Sequence, residues 1–303
     1  MRNPVLVKPY RSADEARCLD LLKQIFGDDD ASQRYYRFVR HRTYLAVVDG
    51  RLVGLASWWD NPIHPYSLRS GVAVLPFYRR QGIGEQLWES LGQTDGECRS
   101  LVTALWETQV AGYNFAVRHR FVEIRRTHTA ELKLGAVDVS AFTRWGEDLL
   151  KQGYRILPYS EATEDERAQM AHLLLRTYEA THRANPLGTF SRDVWRERAF
   201  PEDLLAWGSV AVKQGDRCAA VALLHKGTTA HRVEFGLRGV DDGHQHRSRL
   251  LMVVTTAHQI AAAGARGFVH ASLECDSTDP WSRQILDSFP FGPAPTWITL
   301  RRE

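Results

Sequence analysis

Two distant stretches of the chain open on the same arrangement of apolar and polar positions. In the first, Val7-Lys8-Pro9-Tyr10 precedes Ser12-x-x-Glu15, after which Cys18, Leu21, Leu22, Ile25 and Phe26 recur at helical spacing. In the second, Leu157-Pro158-Tyr159 precedes Thr163-x-x-Glu166, and Met170, Leu173, Leu174, Thr177 and Tyr178 supply the stripe. Each stretch predicts a short strand and an amphipathic helix that opens on a capping box. A hairpin follows in both copies. Tyr44–Val48 and Leu52–Ala56 flank Asp49-Gly50, and Val210–Val212 and Ala219–Leu223 flank Gln214-Gly215-Asp216. The stretch from Asn185 to Phe200 has no counterpart in the first copy and predicts an extended loop with an extra helix. Farther on, Thr103–Glu107 matches His270–Glu274, each run being followed by a polar loop, a short helix and another strand. The pattern therefore predicts an α/β chain of two tandem copies, each a mixed, mostly antiparallel sheet flanked by helices. The expected domains are 1–145 and 146–303, divided within the polar stretch from Gly135 to Gly153, with the final strand Thr296–Leu300 counted in the second copy.

Composition agrees with two ordinary globular cores: 303 residues, of which 44% are hydrophobic and 25% charged. A net charge of +3 gives no concentrated basic face, so no nucleic-acid partner is expected. The opening residues lack the apolar run of a signal peptide, and no stretch offers the roughly 18 apolar residues of a membrane span. The expectation is a soluble, cytoplasmic protein with no membrane partner. Cys18, Cys98, Cys218 and Cys275 show no C-x-x-C spacing, which predicts reduced thiols. His244-Gln245-His246 has no paired cysteines nearby, so no metal site is expected.

One segment carries chemistry. The apolar strand Ser70–Val74 runs through Leu75-Pro76-Phe77-Tyr78-Arg79-Arg80-Gln81-Gly82-Ile83-Gly84 into a helix from Glu85 to about Gly92. Strand, glycine-rich turn and helix make an anion cradle, since glycines let successive N–H groups face one concavity and the helix start adds its positive end. There is no lysine followed by Ser or Thr as in a P-loop, and no dinucleotide G-x-G-x-x-G.

The spacing Arg79-x-x-Gly82-x-Gly84, after a V-x-P-x-x-R strand exit, resembles the acyl-CoA-binding motif of the GCN5-related N-acetyltransferase (GNAT) family. The resemblance implies two tandem GNAT-like domains and acetyl-CoA as co-substrate. It also implies that backbone amides from Gln81 through Ile83 to Gly84 hold the pyrophosphate beside Arg79 and Arg80. Val72 and Val74 would then lie along the pantetheine arm, with the Val74 N–H polarising the thioester carbonyl. In the second copy His244, Arg247 and Arg249 stand where Arg79, Gly82 and Gly84 stand in the first. Two readings follow: a copy without cofactor, or one in which His244, His246, Arg247 and Arg249 bind phosphate through their side chains.

Acyl transfer to an amine needs a base for the ammonium, a stabiliser for the oxyanion and an acid for the departing thiolate. The family's frequent tyrosine position falls on Phe115-Ala116, which leaves Tyr113 as the nearest acid, against a packing role for that ring. Glu107 is the candidate base, against a helix-cap role that the matching Glu274 supports. Trp58, Trp59, Asp60 and His64 lie where the family lines its acceptor groove, although adjacent tryptophans are also simply strand residues. Asp28-Asp29-Asp30 would favour a cationic acceptor or form a solvated acidic turn. The implied activity is N-acetylation of a primary amine on a small molecule by a monomer or homodimer. The competing class is a non-catalytic acyl-CoA-binding regulatory or assembly module.

Overall fold

The computed structural model describes residues 4–92 and 99–303. Cys98 lies outside the described residues; Cys18, Cys218 and Cys275 are free thiols. In chain order the elements are β1 (Leu6–Pro9), α1 (Glu15–Phe26), α2 (Asp30–Tyr35), β2 (Thr43–Val48), β3 (Arg51–Asp60), β4 (Ser67–Val74), α3 (Ile83–Gly92), β5 (Ser100–Trp106), α4 (Val110–Arg118) and β6 (Val122–Lys133). They continue as α5 (Thr143–Lys151), β7 (Tyr154–Pro158), α6 (Glu164–Thr181), α7 (Arg192–Ala199), β8 (Val210–Gln214), β9 (Arg217–Lys226), β10 (Arg232–Val240), α8 (Ser248–Gly264), β11 (His270–Asp276), α9 (Pro280–Leu286) and β12 (Thr296–Arg302). Among the described residues no helix is long and apolar enough to cross a membrane.

The chain forms two compact units, Met1–Ile124 with Ile298–Glu303, and Arg125–Trp297. These do not follow the expected halves 1–145 and 146–303. The first unit ends inside β6, because Thr127–Lys133 of that strand pair antiparallel with His270–Asp276 of β11. The stretch expected to be a linker instead forms the helix α5, whose Leu149 is buried in a second-unit core. The last strand is shared out in the same way, since Ile298 and Leu300 of β12 are buried in the core of the first unit.

In the first unit the strand order is β1-β2-β3-β4-β5-β12. The β2–β3 hairpin turns through Asp49 and Gly50 with φ of 50° and 77°, the paired left-handed residues that a two-residue turn needs to match strand twist. From Leu52 to Trp59 β3 is buried without alternation, as expected of a central strand covered on both faces. Cys18, Leu21 and Leu22 of α1 and Ile83, Leu87 and Leu91 of α3 fill the core around it. Gly54 permits the approach of α3: a Cβ there would lie 3.2 Å from Leu87 Cδ1 and 3.1 Å from the Ala73 carbonyl oxygen. The box expected at Ser12 and Glu15 is displaced by one residue. Asp14 accepts from the Arg11 N–H at 3.2 Å and from Lys8 Nζ at 2.8 Å, and α1 starts after it.

In the second unit the order is β7-β8-β9-β10-β11-β6, the same succession with its sixth strand taken from earlier in the chain. Val233, Phe235 and Leu273 pack against Val253, Ala257 and Ile260 of α8. The box at α6 forms as expected, with Glu166 N–H donating to Thr163 Oγ1 at 3.3 Å and Thr163 N–H to Glu166 Oε2 at 2.9 Å. The helix expected between Asn185 and Phe200 is α7, capped by Ser191.

Candidate active site

The site begins with a fork. Strands β4 and β5 are parallel and pair only at Ser67–Arg69 with Ser100–Val102, yet β4 continues to Val74 and β5 to Trp106. The Tyr35 hydroxyl lies at the point of divergence, 3.2 Å from the Ser70 carbonyl oxygen and 3.4 Å from that of Val102. On its other edge β4 stays paired with β3, and the Leu75 N–H donates to Val53 at 2.9 Å. Peptide groups alternate sides along a strand, so those of Val72 and Val74 point into the gap, where no ladder partner meets them. The divergence of the two strands thus leaves amide donors along an opening in the sheet.

Beyond Val74 the chain makes a single 3-10 turn, Pro76–Tyr78, and then two left-handed steps, Arg80 with φ of 60° and Gly82 with φ of 83°. Left-handed residues alternating with right-handed ones are what bend successive N–H groups into an anion-binding nest, and the start of α3 at Ile83 completes it. Arg79 folds back so that its Nε donates to the Val74 carbonyl at 2.9 Å, on the gap side, and Gln81 Nε2 donates to Phe77 O at 3.1 Å. Gly84 is closely packed: a Cβ there would sit 3.2 Å from Phe115 Cε2, so the α4 ring rests directly on the first turn of α3. His119 lies tilted against that ring, 4.4 Å between centres, and reaches Glu85 at 2.8 Å.

The face of the sheet carrying Gly71 holds an aromatic cluster. The Tyr36 ring covers Gly71, where a Cβ would lie 2.5 Å from its Cε1. Trp59 is 5.1 Å from Tyr35 and 6.1 Å from Tyr36 between ring centres, and it stands opposite Arg69 in the β3–β4 register. The Arg69 guanidinium carbon is 5.8 Å from the Tyr35 ring centre. Burial pushes the Tyr35 hydroxyl up to about 12, against the opposing charge of Arg69, and raises Tyr36 as well. Both phenols hold their protons at neutral pH. Neither tyrosine belongs to the phosphate motif; the available signal was the run Arg34-Tyr35-Tyr36-Arg37 just ahead of the hairpin.

Of the residues singled out in the sequence, Val72, Val74 and Arg79 through Gly84 come together along the gap and its loop. Glu107 is exposed where β5 ends, and Tyr113 is half-buried in the first turn of α4 against the core. Gln109, between them, donates to Ser32 Oγ at 2.9 Å and ties this corner to α2. Trp58 is a core residue, edge-on to Trp88 of α3 at 6.0 Å, because strand alternation sends it away from Trp59. Its ring is therefore not free to stack on an acceptor. Asp60 shares that side, opposite Leu68, and bridges Arg42 at 2.9 Å and Arg99 at 2.8 Å. Burial would raise its carboxyl, but the Arg99 and Arg42 hydrogen bonds and charges outweigh this and hold it below the usual range. His64 is buried, with its N–H bonded to the Asn61 carbonyl. Two of the three acidic residues are used locally: Asp29 caps α2 through Ser32 N–H at 3.1 Å, and Asp30 pairs with Arg34.

The second unit repeats the fork, its β10–β11 pairing ending at Phe235–Leu273, but not the cradle. Arg247, in the place of Gly82, has φ of −119°, and α8 begins just after it as α3 begins after Gly82. The Asp241 carboxylate accepts from the Gly243 N–H at 3.1 Å and pairs with Arg176 at 3.3 Å, so this loop carries its own anion. Past the fork, β10 buries Arg238, whose Nη1 donates to Thr256 Oγ1 at 3.3 Å and whose pKa burial lowers to about 10.

Residues 15–123 match the model of the Acetyltransferase (GNAT) family. No curated protein matches the sequence. Among solved structures, the chain is similar to a GCN5-related N-acetyltransferase from Sphaerobacter thermophilus, at 15% identity over 100% of this chain and 97% of that one, with a TM-score of 0.63. It is also similar to a tandem GNAT protein from the clavulanic acid biosynthesis pathway, at 15% identity over 99% and 98%, with a TM-score of 0.58. A third likeness is to the glucosamine N-acetyltransferase region of a fungal multi-domain GH3 β-N-acetylglucosaminidase, at 13% identity, a TM-score of 0.67 and 100% of this chain, but 38% of that one. At these identities the likeness is one of fold. Residues 15–123 thus belong to the GNAT acetyltransferase family, and the whole chain has the mixed α/β fold that GNAT proteins, a tandem one among them, share.

Proposed function

We propose that this chain transfers an acetyl group from acetyl-CoA to a primary amine of a small molecule, with one cofactor site, in the first unit. The observation that carries this reading is the β4–β5 fork, with the Val72 and Val74 peptide groups facing the gap and the left-handed Arg80 and Gly82 at its mouth. These residues fit the group. Amides from Gln81 to Gly84 would hold the pyrophosphate, with Arg79 and Arg80 adding charge, and the Val72 and Val74 amides would donate along the arm. Bound there, acetyl-CoA supplies a thioester carbonyl open to attack by an amine.

The chain then has protons to move. Tyr36, whose ring covers Gly71 beside the gap, is kept protonated by burial and would serve as a donor, not a base, and Tyr113 stands at the α4 corner. Glu107, exposed at the end of β5, would take a proton through water. The non-catalytic reading is favoured by one feature, the apolar Phe115 and buried Ala116 at the family's frequent tyrosine position.

Calorimetry and a thiol-release assay separate the two. One acetyl-CoA per chain, lost in a folded Gly82→Arg variant, and thiol release with at least one amine of a broad panel are expected. Two equivalent sites, or unchanged affinity in Gly82→Arg, would sink the cofactor assignment; binding with no release across the panel would leave the binding-module reading.

A further inference from the structure

Resting on the reading above, we propose that the acceptor amine also carries an oxyanion, a carboxylate in the first instance, and that Arg69 holds it. Arg69 is the last paired residue of β4 before the fork, with Val102 beside it on β5 and Trp59 on β3. It is half-buried, on the face that Gly71, Tyr35 and Tyr36 share. A cation in the middle of a sheet loses hydration that only a paired anion restores well. Among the described residues no carboxylate forms an ion pair with Arg69, whose guanidinium carbon instead lies 5.8 Å from the Tyr35 ring centre. Asp60, on the opposite face of the sheet, pairs with Arg42 and Arg99, Asp30 pairs with Arg34, and Asp29 caps α2.

A guanidinium presents a planar fork that matches a carboxylate, and Trp59 and Tyr35 wall it with rings that exclude water without competing for its N–H groups. Arg69 and Val72 are three positions apart on one strand, about 10 Å, a span that an amino-acid-sized molecule bridges between anion and reacting amine. The charge of Arg69 therefore selects an amine with an acid attached, while Asp29 and Asp30 are engaged within α2 and its cap.

The test uses the full chain and matched probes: glycine, β-alanine and 4-aminobutyrate, the amide of each, and O-phosphoethanolamine. The expected result is that carboxylates exceed their amides by roughly 10- to 100-fold in kcat/KM, mainly through KM, the range that a charge-assisted pair supports. Arg69→Met should erase the preference with acetyl-CoA affinity unchanged, and Arg69→Lys should restore part of it. Amides used as well as carboxylates by the unaltered chain would overturn the proposal, as would a preference that survives Arg69→Met. A preference for phosphoethanolamine that Arg69→Met abolishes would overturn the carboxylate and assign the same site to phosphate. Calorimetric titration of the CoA-loaded chain with the same carboxylates gives a readout without turnover. Arg69-dependent binding with no acetylation would refute the transfer reading alone, and no binding of any oxyanion would refute this one.

Discussion

Gly82 and Gly84 lie two residues apart and are glycine for different reasons. A Cβ at Gly82 would meet no more than Gln86 Nε2 at 4.0 Å, so this glycine is held by its φ of 83°, whereas Gly84 has an ordinary backbone and packs against the Phe115 ring. The motif spacing alone makes them look alike. Their difference predicts different rescue. Gly84→Ala should destabilise the first unit by about 1–3 kcal/mol, the usual range for overpacking. Adding Phe115→Leu should recover part of that loss, a coupling readable in a denaturant double-mutant cycle. No side-chain partner change should rescue Gly82→Ala, whose cost of about 1 kcal/mol lies in the backbone. Trp58 and Trp59 teach the converse lesson, since neighbours in sequence face opposite sides of β3 and only the register against β4 decides which one meets Tyr35 and Arg69.

At the level of elements, the α6 capping box combines helix start and ion pair. Glu166 binds the Thr163 N–H and accepts from Lys213 Nζ at 2.5 Å, and the Lys213 hydrogen bond, followed by that of Thr163, lowers its pKa from 4.5 to about 2. A depressed folded-state pKa contributes stability that is fully present above the unfolded value and is lost as pH falls through the folded one. Wild type should therefore exceed Glu166→Gln in denaturant midpoint by a constant margin above about pH 5, shrinking between 4.5 and 2. A margin that does not narrow in acid would show that the carboxylate's charge is not what matters. The first copy carries the same sequence signature at Ser12 and Glu15, but Lys8 draws Asp14 into the role, so a capping box read from spacing alone can slip by one residue.

At the level of the whole molecule, Ile298 and Leu300 complete the first core although they come from the far end of the chain. Leu300→Ala should cost the first unit about 2–5 kcal/mol, the range for emptying a fully buried leucine site. A chain ending at Trp297 should lose acetyl-CoA affinity although its phosphate loop is intact, and so should the fragment 1–145; full affinity in either would show that β12 is dispensable. The repeated strand–helix openings, the Asp49-Gly50 hairpin, the glycine-rich turn between β4 and α3 and the GNAT likeness were legible in the sequence, because each depends on residues within one turn, one hairpin or one helix face. The fork at Arg69–Val102, the aromatic cluster around Arg69, and the strand that closes each sheet were decided only in the tertiary structure. Those features depend on which edge pairs with which across long stretches of chain, and a strand's alternation of side chains says which face is buried, not which partner will cover its hydrogen-bonding edge.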